Sequence, residues 1–189
     1  DKENVNILYE RAKKMAEAAS MMANVDYDMQ LISGIYEIIP NRFGAGIIQK
    51  NFEMLGEIEY TDYEINYANT ILKESGKELK GLDGKIKPIR PTIPAQGGST
   101  DVGDVSQVVP VVRLSTTTAA KDGPWHSWAV VACTGMSIGH KGMIYASKAL
   151  AMTMLDLYQN PKFIDGVKKE YIERIGDRVY VPQIPPGPP

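Results

Sequence analysis

The expected fold rests on residues 108–114, which read VVPVVRL, and on the segments that follow them. A run rich in valine favours a β-strand, and Pro110 would place that strand at a sheet edge or at a bulge. Residues 128–133 form a second short apolar stretch, and residues 141–159 repeat apolar side chains at helical spacing. A mixture of strands and helices predicts an α/β fold, with α+β as the neighbouring class.

The expected buried face of the 141–159 helix consists of Ile144, Ala151, Met154, Leu155 and Tyr158. Further helices are predicted over residues 5–22, 42–55, 61–75 and 161–175. The third of these opens with Thr61 and Glu64, the spacing of a capping box. Residues 27–39 alternate and are rich in Ile and Tyr, which predicts a strand.

Composition and charge restrict the class of protein. With 43% hydrophobic and 23% charged residues in 189, the chain is typical of a folded globular protein. A net charge of -2 argues against a nucleic-acid partner, and no apolar run approaches the ~18 residues of a membrane span. The single cysteine, Cys133, excludes an intramolecular disulfide and suits a reducing compartment such as the cytoplasm.

The beginning of the chain suggests a portion of a longer protein. Asp1 is not an initiator methionine, so we expect a cut or processed end. The first helix and the strand expected after it form one hairpin-sized unit that cannot bury both of its faces alone. Both observations predict a fragment.

Residues 76–98 show no periodic pattern and lead into a polar stretch at 97–106. A loop of that length usually serves function or mobility. The stretch does not fit the spacing of a calcium loop, and it lacks the lysine of a phosphate loop. A polar turn with Asp-capped amides and a ligand-contacting loop both remain open. Its hydroxyl and carboxylate groups belong to Ser99, Thr100, Asp101, Asp104 and Ser106.

The two histidines are further candidates. His126 lies between Trp125 and Trp128, where a neutral imidazole could bind zinc or simply be hydrogen-bonded and partly buried. His140 lies at the expected start of the long helix, where free amides favour an anion such as a substrate carboxylate. The alternative for His140 is a capping or solvent-facing side chain.

Three segments together resemble one group of proteins. They are GSTDVGDVS at 98–106, PWHSW at 124–128 and GMSIGHKGM at 135–143. Residues 11–22 and the IPNR of 39–42 extend the resemblance over nearly the whole chain. The group is the aminobenzoyl-glutamate hydrolase type of amidohydrolase, within the zinc aminoacylase/carboxypeptidase superfamily of metallopeptidases.

The resemblance implies a zinc-peptidase-like α/β catalytic domain and a ferredoxin-like lid domain. Residues 1–40 would be the last helix and strand of the lid, and residues 41–189 the C-terminal portion of the catalytic domain. The intact enzyme would hold two divalent metals, zinc or manganese by that resemblance, and would hydrolyse a small-molecule amide such as aminobenzoyl-glutamate or a dipeptide.

The resemblance also assigns roles to residues. His126 would be a metal ligand, and no catalytic residue lies within this chain, because the family's His-x-Asp and Glu-Glu motifs are absent from it. The substrate would contact Ser99, Thr100, Asp101, Asp104 and His140. The lid would join copies into a homo-oligomer, and the chain alone would be inactive.

Two other functions remain open. One is a non-catalytic interaction or structural module that retains the scaffold without a metal site. The other is a small-molecule binding domain that uses the loop at 97–106.

Overall fold

The computed structural model describes residues 1–90 and 98–184, and helices account for more than half of them. No helix in this part of the chain is long and apolar enough to cross a membrane. The described ranges contain seven helices: α1 (Lys2–Ala23), α2 (Arg42–Leu55), α3 (Asp62–Glu74), α4 (Val102–Val108), α5 (Trp128–Thr134), α6 (Ser137–Gln159) and α7 (Pro161–Ile175).

The predicted α/β fold is wrong, as is the expected ferredoxin-like strand. Residues 1–90 and 98–184 contain no β-strand, and residues 27–39 have no regular structure. Val108 ends helix α4, and Val109 is extended (φ −139°, ψ 152°) without belonging to a sheet. A valine-rich segment forms a strand only when another strand supplies hydrogen-bond partners, and such partners are absent from the described ranges.

The apolar stretch at 128–133 is helical because of its N-terminal residue. The Ser127 hydroxyl accepts a hydrogen bond from the Ala129 N–H (3.3 Å) and so caps α5. That local hydrogen bond favours a helical turn over the extended conformation.

The helices predicted from periodicity are confirmed at nearly the expected bounds. Helix α2 ends before Gly56, whose φ of 78° suits glycine, and α7 begins at Pro161. The Thr61 side chain accepts from the Glu64 N–H while the Glu64 carboxylate accepts from the Thr61 N–H. The capping box is therefore confirmed.

The chain divides into two compact units, and the first contains the described residues 1–41, 98–111 and 168–184. Helix α1 buries no side chain. The centre of this unit is Tyr36, whose ring packs against that of Tyr180 with centroids 5.2 Å apart. The predicted domains, 1–40 and 41–189, stay a prediction.

The second unit contains the described residues 42–90 and 112–167. In it α2 packs on α6, α5 on α6 and α3 on α5. Small and medium side chains fill the core, so the helices approach one another closely. The core consists of Ala68, Ile71, Leu72, Ala120, Ala129, Cys133 and Ile138.

The predicted buried face of the long helix is wrong. Ile144, Met154, Leu155 and Tyr158 are all exposed, Tyr158 to 80%, and Ala151 is exposed as well. The side of α6 that packs carries small residues, because neighbouring backbone lies against it. A Cβ atom on Gly139 would overlap the Thr134 backbone, and one on Gly142 would overlap the Thr117 carbonyl. Ala149 and Thr153 continue the buried side.

Candidate functional site

The polar stretch begins as a turn that leads into α4 in the first unit. Gly98 has a φ of 116°, a conformation that favours glycine. The Thr100 hydroxyl accepts from the Val102 N–H (3.4 Å), and the Thr100 carbonyl accepts from the Gly103 N–H (2.9 Å). Ser99 and Asp101 are exposed at this turn, so their polar groups face solvent. Their predicted contact with substrate stays a prediction.

Asp104 and Ser106 hold the first unit together. The Asp104 carboxylate accepts from the Tyr36 N–H (3.3 Å) and from the Tyr180 hydroxyl (3.1 Å). The buried Ser106 hydroxyl accepts from the Ile39 N–H (2.9 Å) and donates to the Gly103 carbonyl (2.6 Å). Both side chains therefore anchor the irregular segment before α2, and burial together with Asp104 raises the pKa of Tyr180.

Gln107 extends this network to the segment after α7. Its amide donates to the Glu37 carbonyl (2.8 Å), and its side-chain oxygen accepts from Arg178 (3.0 Å). Arg178 also pairs with the Glu37 carboxylate (3.1 Å). The sequence does not suggest this role for Gln107, because its partners are distant along the chain.

His126 lies in the second unit on a loop with an unusual backbone. His126 (φ 57°) and Asp122 (φ 58°) both adopt the left-handed region, which non-glycine residues rarely occupy. The loop is held at both ends: Asp122 accepts from Lys80 (2.8 Å), and the Ser127 hydroxyl donates to the Pro124 carbonyl (2.6 Å). Strained backbone of this kind is concentrated at functional sites.

The side chains of this loop face solvent. His126 is exposed, and its neighbours Trp125 and Trp128 are exposed to 70% and 54%. An exposed imidazole with exposed tryptophans near it in the sequence is available to a metal or to a ligand with a flat apolar group. Within residues 1–90 and 98–184, no three His, Cys, Asp or Glu side chains are grouped so as to hold a metal ion.

A buried carboxylate lies beside the start of α6. Glu64 accepts from the Ser137 hydroxyl (2.6 Å) and from the Lys141 ammonium group (2.7 Å), in addition to its bonds to Thr61. Burial raises the pKa of Glu64, but these hydrogen bonds outweigh it and bring the pKa to about 2. The group is therefore ionised at neutral pH.

This carboxylate bears on the predicted role of His140. Helix α6 begins four residues earlier than expected, so the His140 N–H already donates to the Met136 carbonyl (3.0 Å). The anion beside the first turn of α6 is Glu64 of the same chain. His140 itself is exposed, and its contact with a substrate carboxylate stays a prediction.

The predicted site residues thus fall into two sets. Ser99, Thr100, Asp101 and Asp104 lie together in the first unit, around the start of α4. His126 and His140 lie in the second unit, at the starts of α5 and α6.

Comparison with known proteins gives one informative similarity. The chain is 25% identical, over an alignment of 207 residues, to a subunit of p-aminobenzoyl-glutamate hydrolase from Escherichia coli strain K12. The alignment covers 96% of this chain but 43% of that protein, so the chain spans less than half of its relative's length. No family model matches the chain, and no solved structure matches it. The chain is therefore a distant relative of a protein that is named as a hydrolase.

Proposed function

We propose that this chain is the C-terminal portion of a metal-dependent hydrolase that cleaves the amide bond of an acylated amino acid. The observation that carries the proposal is the similarity along 96% of the chain to a hydrolase of aminobenzoyl-glutamate. We assign substrate contacts to the polar stretch at 98–106 of the first unit, and a metal ligand to the histidine loop at 122–128 of the second unit.

His126 is the metal ligand in this proposal. Its loop carries two left-handed residues and is braced at both ends, and the imidazole is exposed to solvent. A metal centre needs at least three protein ligands, and the described residues offer no such group. These residues alone do not fit a complete centre. In this proposal the other ligands belong to parts of the protein outside residues 1–90 and 98–184, and we derive no catalytic step through the metal.

The polar stretch contributes binding and positioning. The exposed Ser99 and Asp101 side chains, with the half-buried Thr100, would hydrogen-bond the substrate. Asp104 positions that turn through its bonds to Tyr36 and Tyr180. In the complete protein we propose zinc as the metal and His140 as a contact of the substrate carboxylate. A homo-oligomer is the proposed assembly.

The test uses the protein encoded by the whole gene, with His126→Asn as the variant. Asparagine tolerates the left-handed conformation but lacks the imidazole. We expect the zinc content, measured by mass spectrometry, to decrease, and the release of p-aminobenzoate from p-aminobenzoyl-glutamate to fall by ~100-fold. The 189 residues alone should bind zinc weakly and release no product.

The control is Lys77→Gln, an exposed lysine of the same unit that lies outside the loop at 122–128. It should retain both metal and activity. Full zinc content and full hydrolysis in His126→Asn would refute the role of His126. No hydrolysis by the unmodified full-length protein, across several acylated amino acids, would refute the enzyme.

The second candidate is a non-catalytic interaction module. It is favoured by the use of Asp104 and Ser106 as internal anchors and by the apolar side chains that α1 leaves in solvent, among them Leu8 and Met15. The same assay separates the two functions, because a module of this kind would retain its fold and release no product.

A further inference from the structure

The second unit contains a cleft that is separate from every residue assigned above. Its volume is about 360 Å³, within the range of small-molecule sites. It is lined by residues 83–87 and Arg90, by residues 115–117, and by Phe52, Ile58 and Tyr145. All of these residues belong to the same compact unit.

Close backbone packing builds the cleft. The Ile58 N–H donates to the Gly84 carbonyl (3.0 Å), and a Cβ atom on Gly84 would overlap the Ile58 carbonyl. The Thr117 hydroxyl donates to the Asp83 carbonyl, and the Thr116 hydroxyl donates to the Gly142 carbonyl (3.2 Å). The walls are therefore fixed by hydrogen bonds before any ligand arrives.

The charge of the cleft is positive. It is lined by Lys85, Lys87 and Arg90 but by a single carboxylate, Asp83. Asp83 pairs with Lys87 (3.0 Å) and with Lys121 (3.2 Å), and the hydrogen bond from Lys87 leads the interactions that lower the pKa of Asp83 to about 2. Its charge is thus present at neutral pH and already balanced. Among the described residues, neither Lys85 nor Arg90 takes part in an ion pair.

Two aromatic side chains also line the cleft. The rings of Phe52 and Tyr145 pack with centroids 5.4 Å apart and an angle of 31°. The Tyr145 hydroxyl donates to the Gly56 carbonyl (2.7 Å), so its polar end is occupied and the ring is the part left for a ligand. Two cations and two packed rings that line the same cleft suit a molecule with an anionic end and a flat apolar body.

We propose that this cleft binds a small aromatic carboxylate. The carboxylate lies between Lys85 and the Arg90 guanidinium, whose planar fork matches two carboxylate oxygens, and the ring of the ligand packs on Phe52 and Tyr145. The Ser115 side chain, at the exposed edge, supplies a further hydroxyl. The binding goes beyond amide hydrolysis and is independent of His126.

Calorimetric titration of the 189-residue chain tests the proposal, with benzoate as the probe. Acetate lacks the ring, benzyl alcohol lacks the charge, and inorganic phosphate supplies charge of another geometry. We expect saturable binding of benzoate at about 1 mM or tighter. Each of the other three compounds should bind at least about tenfold more weakly.

The variant Lys85→Gln/Arg90→Gln should weaken benzoate binding by about tenfold or more, since it removes the two lining cations that are outside the Asp83 ion pairs. Both side chains are exposed, so circular dichroism should show an unchanged fold. The matched control is Lys77→Gln, an exposed lysine of the same unit that does not line the cleft. Absence of saturable benzoate binding would overturn the proposal. So would equal binding of phosphate or benzyl alcohol, or equal binding by the double variant.

Discussion

Replacing Glu64 with glutamine tests how the second unit is held together. Glu64 is 2% exposed and accepts four hydrogen bonds, from the Thr61 N–H and hydroxyl, the Ser137 hydroxyl and the Lys141 ammonium group. It therefore joins the first turn of α3 to the first turn of α6. Glutamine keeps the size of the side chain but removes the charge and presents an NH₂ donor where an acceptor is needed.

The magnitude follows from the pKa. The pKa of Glu64 falls from 4.5 to about 2, because the bonds from Lys141, Ser137 and Thr61 outweigh the effect of burial. Each pKa unit corresponds to about 1.4 kcal/mol, so ionised Glu64 contributes about 3 kcal/mol to the free energy of unfolding at neutral pH. Glu64→Gln should lose most of that and leave Lys141 without its carboxylate.

Urea unfolding followed by tryptophan fluorescence measures this loss, because both tryptophans, Trp125 and Trp128, lie in the second unit. A carboxyl whose pKa is lower in the folded state stabilises the protein above its unfolded pKa. That contribution disappears as the pH falls from about 5 towards 2. The urea midpoint of the wild type should decrease as the pH falls over this range. Glu64→Gln should lose about 3 kcal/mol less stability than the wild type on the same acidification.

The control is Glu74→Gln, an exposed glutamate at the other end of α3, which should change stability by less than about 0.5 kcal/mol. In Glu64→Gln/Lys141→Gln the two losses should be less than additive, because each single change leaves the other partner unpaired. The reasoning is refuted if Glu64→Gln unfolds like the wild type at pH 7, or if the two proteins lose stability equally on acidification.

Three further predictions concern packing and the polar stretch. Gly139→Ala should destabilise the second unit by about 2 kcal/mol in urea unfolding, since the added Cβ would overlap the Thr134 backbone. Gly46→Ala has open space around it and should stabilise α2 by up to about 1 kcal/mol in the same assay. The buried Cys133 thiol, whose pKa burial raises, should react with a disulfide reagent only on unfolding, and rapid reaction of the native chain would contradict the packing. Asp104→Ala should destabilise the first unit by about 2 kcal/mol and speed hydrogen exchange of the Tyr36 amide, which donates to Asp104. Asp101→Ala, whose side chain makes no capping bond, should leave that hydrogen exchange unchanged.

Local signals predicted the helices well. The Thr61 capping box, the end of α2 at Gly56 and the start of α7 at Pro161 each depend on a few neighbouring residues, and each is confirmed. The strands were wrong because a strand depends on distant partners. For residues 128–133 the competing local signal was present in Ser127, whose hydroxyl caps a helix.

The site was harder to predict for the same reason. The partners of Asp104 lie 68 and 76 residues away, so its structural role is invisible in the polar stretch itself. The left-handed backbone at His126 has no sequence signature, since no glycine occupies that position. Lys85 and Arg90 lie in the segment after α3 that lacks periodicity, where sequence alone does not show the rings that face them.

The placement of large side chains on the exposed side of α6 has a chemical consequence. Met143 and Met154 on this helix are exposed, whereas its packed side consists largely of glycine, alanine and threonine. Peroxide would therefore convert these thioethers to sulfoxides without disturbing the packed side. Oxidation would make the outer surface of α6 polar while the core stayed intact, so redox conditions would change the hydrophobicity of that surface independently of folding.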